Sequence, residues 1–259
     1  MLTLQQLGQN AKSASRMIMN ASANEKNAIL NTMAELLKAK TSEIIEANQK
    51  DLELAHINQM PANLIDRMML DEKRLAGIIE GIQQVIALDD PIGEISDMQL
   101  TKTGLQIGKM RVALGVVGMI YEARPNVSVD AAILCLKSGN AVILRGSKDI
   151  LNSNLKLVEI MREALKAHAF DENIISLLED TSHECANEFM RLNEYLDVLI
   201  PRGGAKLIAS VVKNASVPVL ETGTGNCHTY IDASADMEKA MNIVINAKTQ
   251  RTSVCNACE

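Results

Sequence analysis

The chain has 259 residues, 47% of them apolar and 22% charged, with a formal net charge of −6. That length buries a substantial core as one large domain or two smaller ones, and the acidic balance excludes a nucleic-acid-binding protein, which needs Lys and Arg concentrated against phosphates. With 2% aromatic residues and no Trp, the core must be aliphatic.

The first 25 residues carry Lys12 and Arg16 inside an amphipathic pattern, and no run reaches 18 consecutive apolar residues. Neither a secretory signal nor a membrane span is expected, and the expected location is cytoplasmic. From Leu4 to about residue 57, Leu7, Ala11, Ala14 and Ile18, then Ile29, Met33, Leu36 and Leu37, recur at helical spacing, with a break near 21–24. Pro61 opens a short helix and Asp71 caps another that runs to about residue 88. After Pro91 the pattern predicts β-like runs at 98–102, 104–110 and 112–121, punctuated by Gly104, Gly108, Gly115 and Gly118, which read as a hairpin feeding a buried strand.

From there helices and strands alternate: helix 127–137, strand 141–144, helix 151–168, strand 174–178, helix 185–192, strand 198–200, helix 205–213 and strand 217–220. This order predicts βαβ units and a parallel sheet, the α/β class. Short, apolar, β-branched strands fit a sheet covered on both faces. In such sheets ligands bind at the carboxyl ends of the strands, and the segments there are polar and rich in glycine: Arg145-Gly146-Ser147-Lys148, Pro201-Arg202-Gly203-Gly204 and Glu221-Thr222-Gly223-Thr224-Gly225-Asn226. Their cations, hydroxyls and helix N-termini suit an anionic ribose phosphate, although ordinary βα turns also use glycine and polar caps. The GxGxxG fingerprint is absent, since His228 stands where its third glycine would fall, so a nicotinamide cofactor would bind in another mode.

Five Cys without secretory context read as reduced thiols. Cys255 and Cys258 have the CxxC spacing of a redox pair or half a zinc site, but no second CxxC or paired His accompanies them and His228 is isolated, so no metal is expected. Cys135, Cys185 and Cys227 read as structural thiols. Cys255 follows a polar loop containing Lys248 and Arg251, where positive charge favours a thiolate, and is the candidate nucleophile.

The segments GVVGMIYEARPNVSVDAAILCLKSGNAVILRGSK, IPRGGAKLI, ETGTGNCHTYID and NAKTQRTSVCNA closely resemble, in order and over essentially the whole chain, the gamma-glutamyl phosphate reductase (glutamate-5-semialdehyde dehydrogenase) family of the aldehyde dehydrogenase superfamily. The resemblance implies an α/β three-layer parallel-sheet nucleotide-binding domain of aldehyde dehydrogenase type, with a helical N-terminal scaffold and a β-hairpin from the oligomerisation region. It implies NADPH-dependent reduction of L-glutamate 5-phosphate to L-glutamate 5-semialdehyde and phosphate, a step of proline biosynthesis, through a thioester on Cys255. Asn126 matches the asparagine that steadies the developing oxyanion, with a helix N-cap as its structural alternative. Glu221 matches the superfamily's general base, while a reductase must avoid hydrolysing its thioester, so a structural or cofactor-facing glutamate stands beside that role.

Arg145, Gly146, Ser147 and Lys148 match the segment around the adenosine ribose and its 2′-phosphate, Gly203 and Gly204 match the loop beside the pyrophosphate, and Thr222 and Gly223 belong with the cofactor-binding positions. The implied partners are the small-molecule substrate, further copies of the chain as a homo-oligomer, and glutamate 5-kinase, with no nucleic acid and no membrane. Residues 1–259 then form the NADP-binding domain: scaffold 1–90, oligomerisation hairpin 95–114, βαβ core 115–250 and the start of the catalytic loop at 251–259.

Two features depart from the family. Thr252 replaces an expected Pro, and the chain stops at Glu259, before the catalytic domain that family members carry. On that basis the 259 residues alone are expected to show little or no turnover. Two other classes remain open: a nonenzymatic NADP-binding remnant or subunit-pairing fragment, and an aldehyde-oxidising member of the superfamily.

Overall fold

A computed structural model describes residues 2–223, 225–250 and 257–258. The chain forms two compact units, Met1–Leu220 and Glu221–Glu259.

The first unit begins with five helices. Helix α1 (Leu4–Met19) and α2 (Ala23–Ala39) each start in a capping box, Thr3 with Gln6 and Ser22 with Glu25, which satisfies backbone amides that would otherwise lack partners. The chain breaks again at Lys40 before α3 (Thr41–Ile57), a boundary the apolar periodicity passes over because the buried stripe continues through it. Helices α4 (Ala62–Met68) and α5 (Glu72–Ala87) follow, the latter capped by Asp71, whose carboxylate accepts from the Arg74 N–H.

An antiparallel pair, β1 (Ile95–Leu100) and β2 (Gln106–Met110), comes next. The expected first strand at 98–102 lies earlier, because Thr101 already belongs to the turn: its hydroxyl accepts from the Leu105 N–H, and Gly104 takes φ +85°. A bulge separates the Ser96 and Gln99 pairings, with Asp97 at φ +52°.

The centre of the unit is a parallel sheet of β3 (Val116–Tyr121), β4 (Ala141–Arg145), β5 (Ile175–Leu177) and β6 (Val198–Arg202), in the order β5-β4-β3-β6. Helices α6 (Asn126–Lys137), α7 (Leu151–Ala167), α8 (His183–Phe189) and α9 (Ala205–Asn214) connect or follow the strands. Strand alternation divides the core in two. Val117, Tyr121, Val142 and Leu144 pack with α2 and α5–α7, whereas Val116, Ile120, Ala141 and Ile143 pack with Leu4, Leu7, Phe189 and Val211. The sheet is therefore the middle of three layers, and each fully buried Val, Leu or Ile contributes roughly 1.5–3 kcal/mol.

The expected strand at 217–220 shrinks to a single bridge, Leu199 with Val219. The Pro218 carbonyl accepts from the Leu199 N–H at 2.8 Å, but Pro218 has no N–H to extend the ladder.

In the second unit, α10 (Met237–Thr249) starts at Asp236, whose side chain accepts from the Glu238 and Lys239 amides. The sequence reading had no helix here. The apolar spacing of Met237, Met241 and Ile245 carried the signal.

Candidate functional site

The chain leaves β3 to build β4 and β5 on one side, then returns to place β6 on the other. The connections diverge above the carboxyl ends of β3 and β6, making a crevice of the kind that holds ligands in open α/β sheets.

Glu122 follows β3 directly. Its N–H donates to the Arg202 carbonyl at 3.2 Å, and its Oε1 accepts from the Gly204 N–H at 2.8 Å, so the two strand ends are stitched together. Gly204 is the N-cap of α9 and has no side chain to cap it. A Cβ on Gly203 would lie 2.7 Å from Glu122 Cδ and from Leu207 Cδ2 and 2.8 Å from Glu122 Cγ, so a larger residue there requires those side chains to shift.

Asn126 is the first residue of α6, after an N-cap at Pro125. That replaces the N-cap alternative: the Asn126 amide instead donates to Asp130 Oδ2 at 2.9 Å. Burial raises the Asp130 pKa, and the hydrogen bond from Asn126 opposes the rise.

At the end of β4, Arg145 turns towards the segment after β5, its Nη2 donating to the Thr181 carbonyl at 2.9 Å. Its Nε is buried without a partner, and burial lowers its pKa, with Cys185 and Asp180 acting against the shift. Gly146 sits on Tyr121 and Asn154. Beneath it runs a buried chain in which the Tyr121 hydroxyl meets Ser128 Oγ at 2.7 Å and Ser128 donates to Asn154 Oδ1 at 2.7 Å. Ser147 is committed to Asp149 Oδ2 at 2.5 Å, while Lys148 is exposed and enters no ion pair among the described residues. The donor set at this edge thus comprises an exposed ammonium, an orphaned guanidinium N–H and helix-terminal amides, which fits a phosphate-bearing ligand.

The structure brings Arg145, Gly146, Ser147, Lys148, Gly203, Gly204 and Asn126 to one edge of the sheet. Glu122, Asn154 and Ser128 at that edge were missed by the sequence reading. The Asn152-Ser153-Asn154 run inside an otherwise apolar helical pattern was the available signal for the second of these. Glu221, Thr222 and Gly223 open the second unit and are exposed there. Lys248 lies in the last turn of α10 rather than in a loop, and its Nζ donates to the Cys258 carbonyl at 3.0 Å. Cys255, like Arg251 and Thr252, falls outside the described residues.

Four other thiols are placed, Cys135, Cys185, Cys227 and Cys258, and the first two have shifted pKa values. Burial pushes the Cys135 pKa up to about 12, and burial with Asp180 and Glu188 raises that of Cys185, so neither is an activated nucleophile. A cavity of about 350 Å³ beside Cys185, bordered by Leu4, Leu178, Asp180, Glu184 and Glu188, lies past the carboxyl end of β5, next to Arg145. Its carboxylates disfavour a phosphate. No described helix is long and apolar enough to cross a membrane.

Sheet order and layering define a three-layer α/β domain with polar, glycine-containing loops at the carboxyl edge of its sheet. The chain belongs to the aldehyde dehydrogenase family, whose description it matches over residues 3–259. Enzymes of that family work with a nicotinamide dinucleotide, NAD or NADP. It is 56% identical over 252 residues to the gamma-glutamyl phosphate reductase of Clostridium perfringens, covering 97% of this chain and 61% of that protein. The crystal structure of gamma-glutamyl phosphate reductase from Thermotoga maritima superposes with a TM-score of 0.95 at 45% identity, over 99% of this chain and 62% of that one. The enzyme of the same name from Saccharomyces cerevisiae gives 0.79 at 28% identity, over 98% and 65%. The chain thus spans about three fifths of the length of these relatives.

Proposed function

We propose that this chain is the cofactor-holding part of an NADPH-dependent reductase that converts L-glutamate 5-phosphate to L-glutamate 5-semialdehyde and phosphate. The observation that carries the reading is the donor set along the carboxyl edge of the sheet, together with 56% identity to a protein named for that reaction. Arg145 and Lys148 would hold the 2′-phosphate that distinguishes NADPH from NADH, and the backbone amides at the start of α9, of which that of Gly204 is held by Glu122, would face phosphate oxygens. The bound dinucleotide supplies a hydride to the acyl carbon.

The remaining chemistry belongs to the chain. The Cys255 thiolate attacks the acyl carbon, the bond to the phosphate oxygen breaks, and phosphate leaves with the electron pair. Asn126 has a second amide hydrogen beyond the one given to Asp130, and this would steady the oxyanion. Once the thioester carbonyl is reduced, the tetrahedral adduct expels the thiolate and yields the aldehyde. Glu221 is read as a structural or cofactor-facing residue, because an activated water would hydrolyse the thioester. The exposed pair β1–β2 would join copies of the chain into an oligomer.

Fluorescence titration tests the cofactor assignment. NADPH is expected to bind saturably, and Lys148→Ala to weaken it about tenfold while leaving NADH unchanged. Absence of saturable binding by the folded parent chain overturns the reading. Phosphate release from the acyl phosphate that survives Cys255→Ser overturns the thioester.

A further inference from the structure

Glu122 is an acidic side chain at an edge otherwise arranged for an anion. Its carboxylate reaches across the switch-point crevice, between residues 82 apart in sequence, to the first amide of α9. Its Cγ and Cδ lie over Gly203, 2.8 and 2.7 Å from where a Cβ would stand. A negative group at a helix N-terminus is stabilised by the unpaired amides and the helix dipole, and the phosphate of a dinucleotide is drawn to the same donors. Two anions at one donor repel. Glu122 is also exposed, so its side chain can swing into water without leaving a buried charge behind.

We propose that Glu122 is a placeholder: its carboxylate holds the Gly204 amide in the unliganded chain and surrenders it to a phosphate of the incoming dinucleotide, thereby setting the affinity. This rests on the cofactor reading above and adds to it an internal competitor for the pyrophosphate position. Because displacement precedes or accompanies docking, the carboxylate lowers the apparent affinity by the fraction of time it occupies the amide. A ligand that lacks the pyrophosphate does not compete with it.

The test uses two probes, NADPH and adenosine 2′-phosphate, titrated into the parent chain, Glu122→Gln and Glu122→Ala. Glutamine keeps an oxygen for Gly204 and so preserves the local fold, but it carries no charge. Both variants are expected to bind NADPH about fivefold more tightly, the size of a charge effect at a helix terminus, with adenosine 2′-phosphate unchanged. A residue that merely caps α9 would leave NADPH affinity unaltered in the Gln variant. Unchanged or weaker NADPH binding by Glu122→Gln overturns the proposal, as does equal tightening of both probes, which would mark a long-range charge effect. A folded parent chain that does not bind NADPH overturns the cofactor reading and this inference with it. A parent that binds NADPH beside an indifferent Gln variant removes the inference alone.

Discussion

Strand β3 and the pair β1–β2 are extended for the same local reasons and have opposite surroundings. In β3 five of six residues are buried, whereas every residue of β1 and β2 is exposed, including Ile95, Leu100, Ile107 and Met110. β-branched and unbranched apolar side chains favour extended backbone in both places. What covers them is decided elsewhere: β3 lies between two layers of helix, and β1–β2 pairs only with itself. A buried strand therefore depends on distant residues, and an exposed apolar strand marks a surface awaiting cover.

The distant support is most concentrated at Asp51. Its carboxylate, 1% exposed, accepts from the Asn152 N–H and side chain and from the Ser153 N–H and hydroxyl at 2.6–3.1 Å, fastening α3 to the first turn of α7. Asn48 extends the same network to Ser153, to the Met68 carbonyl and to the Leu70 N–H. Asp51→Ala strands several buried donors at once and is expected to cost about 4 kcal/mol, read as a lower midpoint in urea at unchanged slope. A loss within the range of surface changes would show that the scaffold does not hold the βαβ core and would break the contrast with β1–β2.

Much of this was legible in the sequence, for identifiable reasons. The helix start at Asp71 was marked by its own cap, and the capping boxes at Thr3 and Ser22, which also depend on residues three apart, were readable in the same way though passed over. The sheet strands announce themselves by short apolar runs between polar turns, and the Arg145–Lys148 and Gly203–Gly204 segments by their place after those runs. The split at Lys40 was hidden because a helix boundary without a cap or a breaker leaves no local mark. The strand at 217–220 was overread because its apolar pattern outweighed Pro218. Glu122 could not be found at all, since its role depends on an amide 82 residues away. Arg145 was visible as a cation, but its orphaned Nε is a property of burial.

A second clamp carries a pH signature. Lys26, 0% exposed, donates to Asp90 Oδ2 at 2.8 Å, and the Ile92 N–H donates to Oδ1 at 2.9 Å, fixing the chain just before β1. Burial alone would raise the Asp90 pKa, but those hydrogen bonds, with the charges of Lys26 and Lys137, outweigh it and hold the carboxyl below its ordinary range. A depressed folded value means stability that is present above the unfolded pKa and lost as pH falls through the folded one. Asp90→Asn should flatten that acid limb and cost about 2 kcal/mol at neutral pH by leaving Lys26 beside an uncharged partner. Urea midpoints between pH 3 and 7 read both effects, about those carboxylate values. An acid limb unchanged in the variant would assign the slope to other carboxylates.

The smallest effect on stability is expected at β2, where the comparison makes its sharpest claim. Ile107 is exposed and pairs across to Gln99. Ile107→Lys therefore removes little that the single chain uses, and the change in unfolding free energy should stay within about 0.5 kcal/mol. Sedimentation is where the substitution acts: a chain that self-associates through this surface should lose its concentration dependence, because a lysine ammonium cannot be buried unpaired in an apolar interface. Both measurements are needed, since a loss of association accompanied by several kcal/mol of destabilisation would mean that Ile107 supports its own chain. A stable variant that still associates would place the contact on another surface. Only unchanged stability with lost association would show that the residues of β1 and β2 are arranged for a neighbour, as those of β3 are arranged for the helices around it.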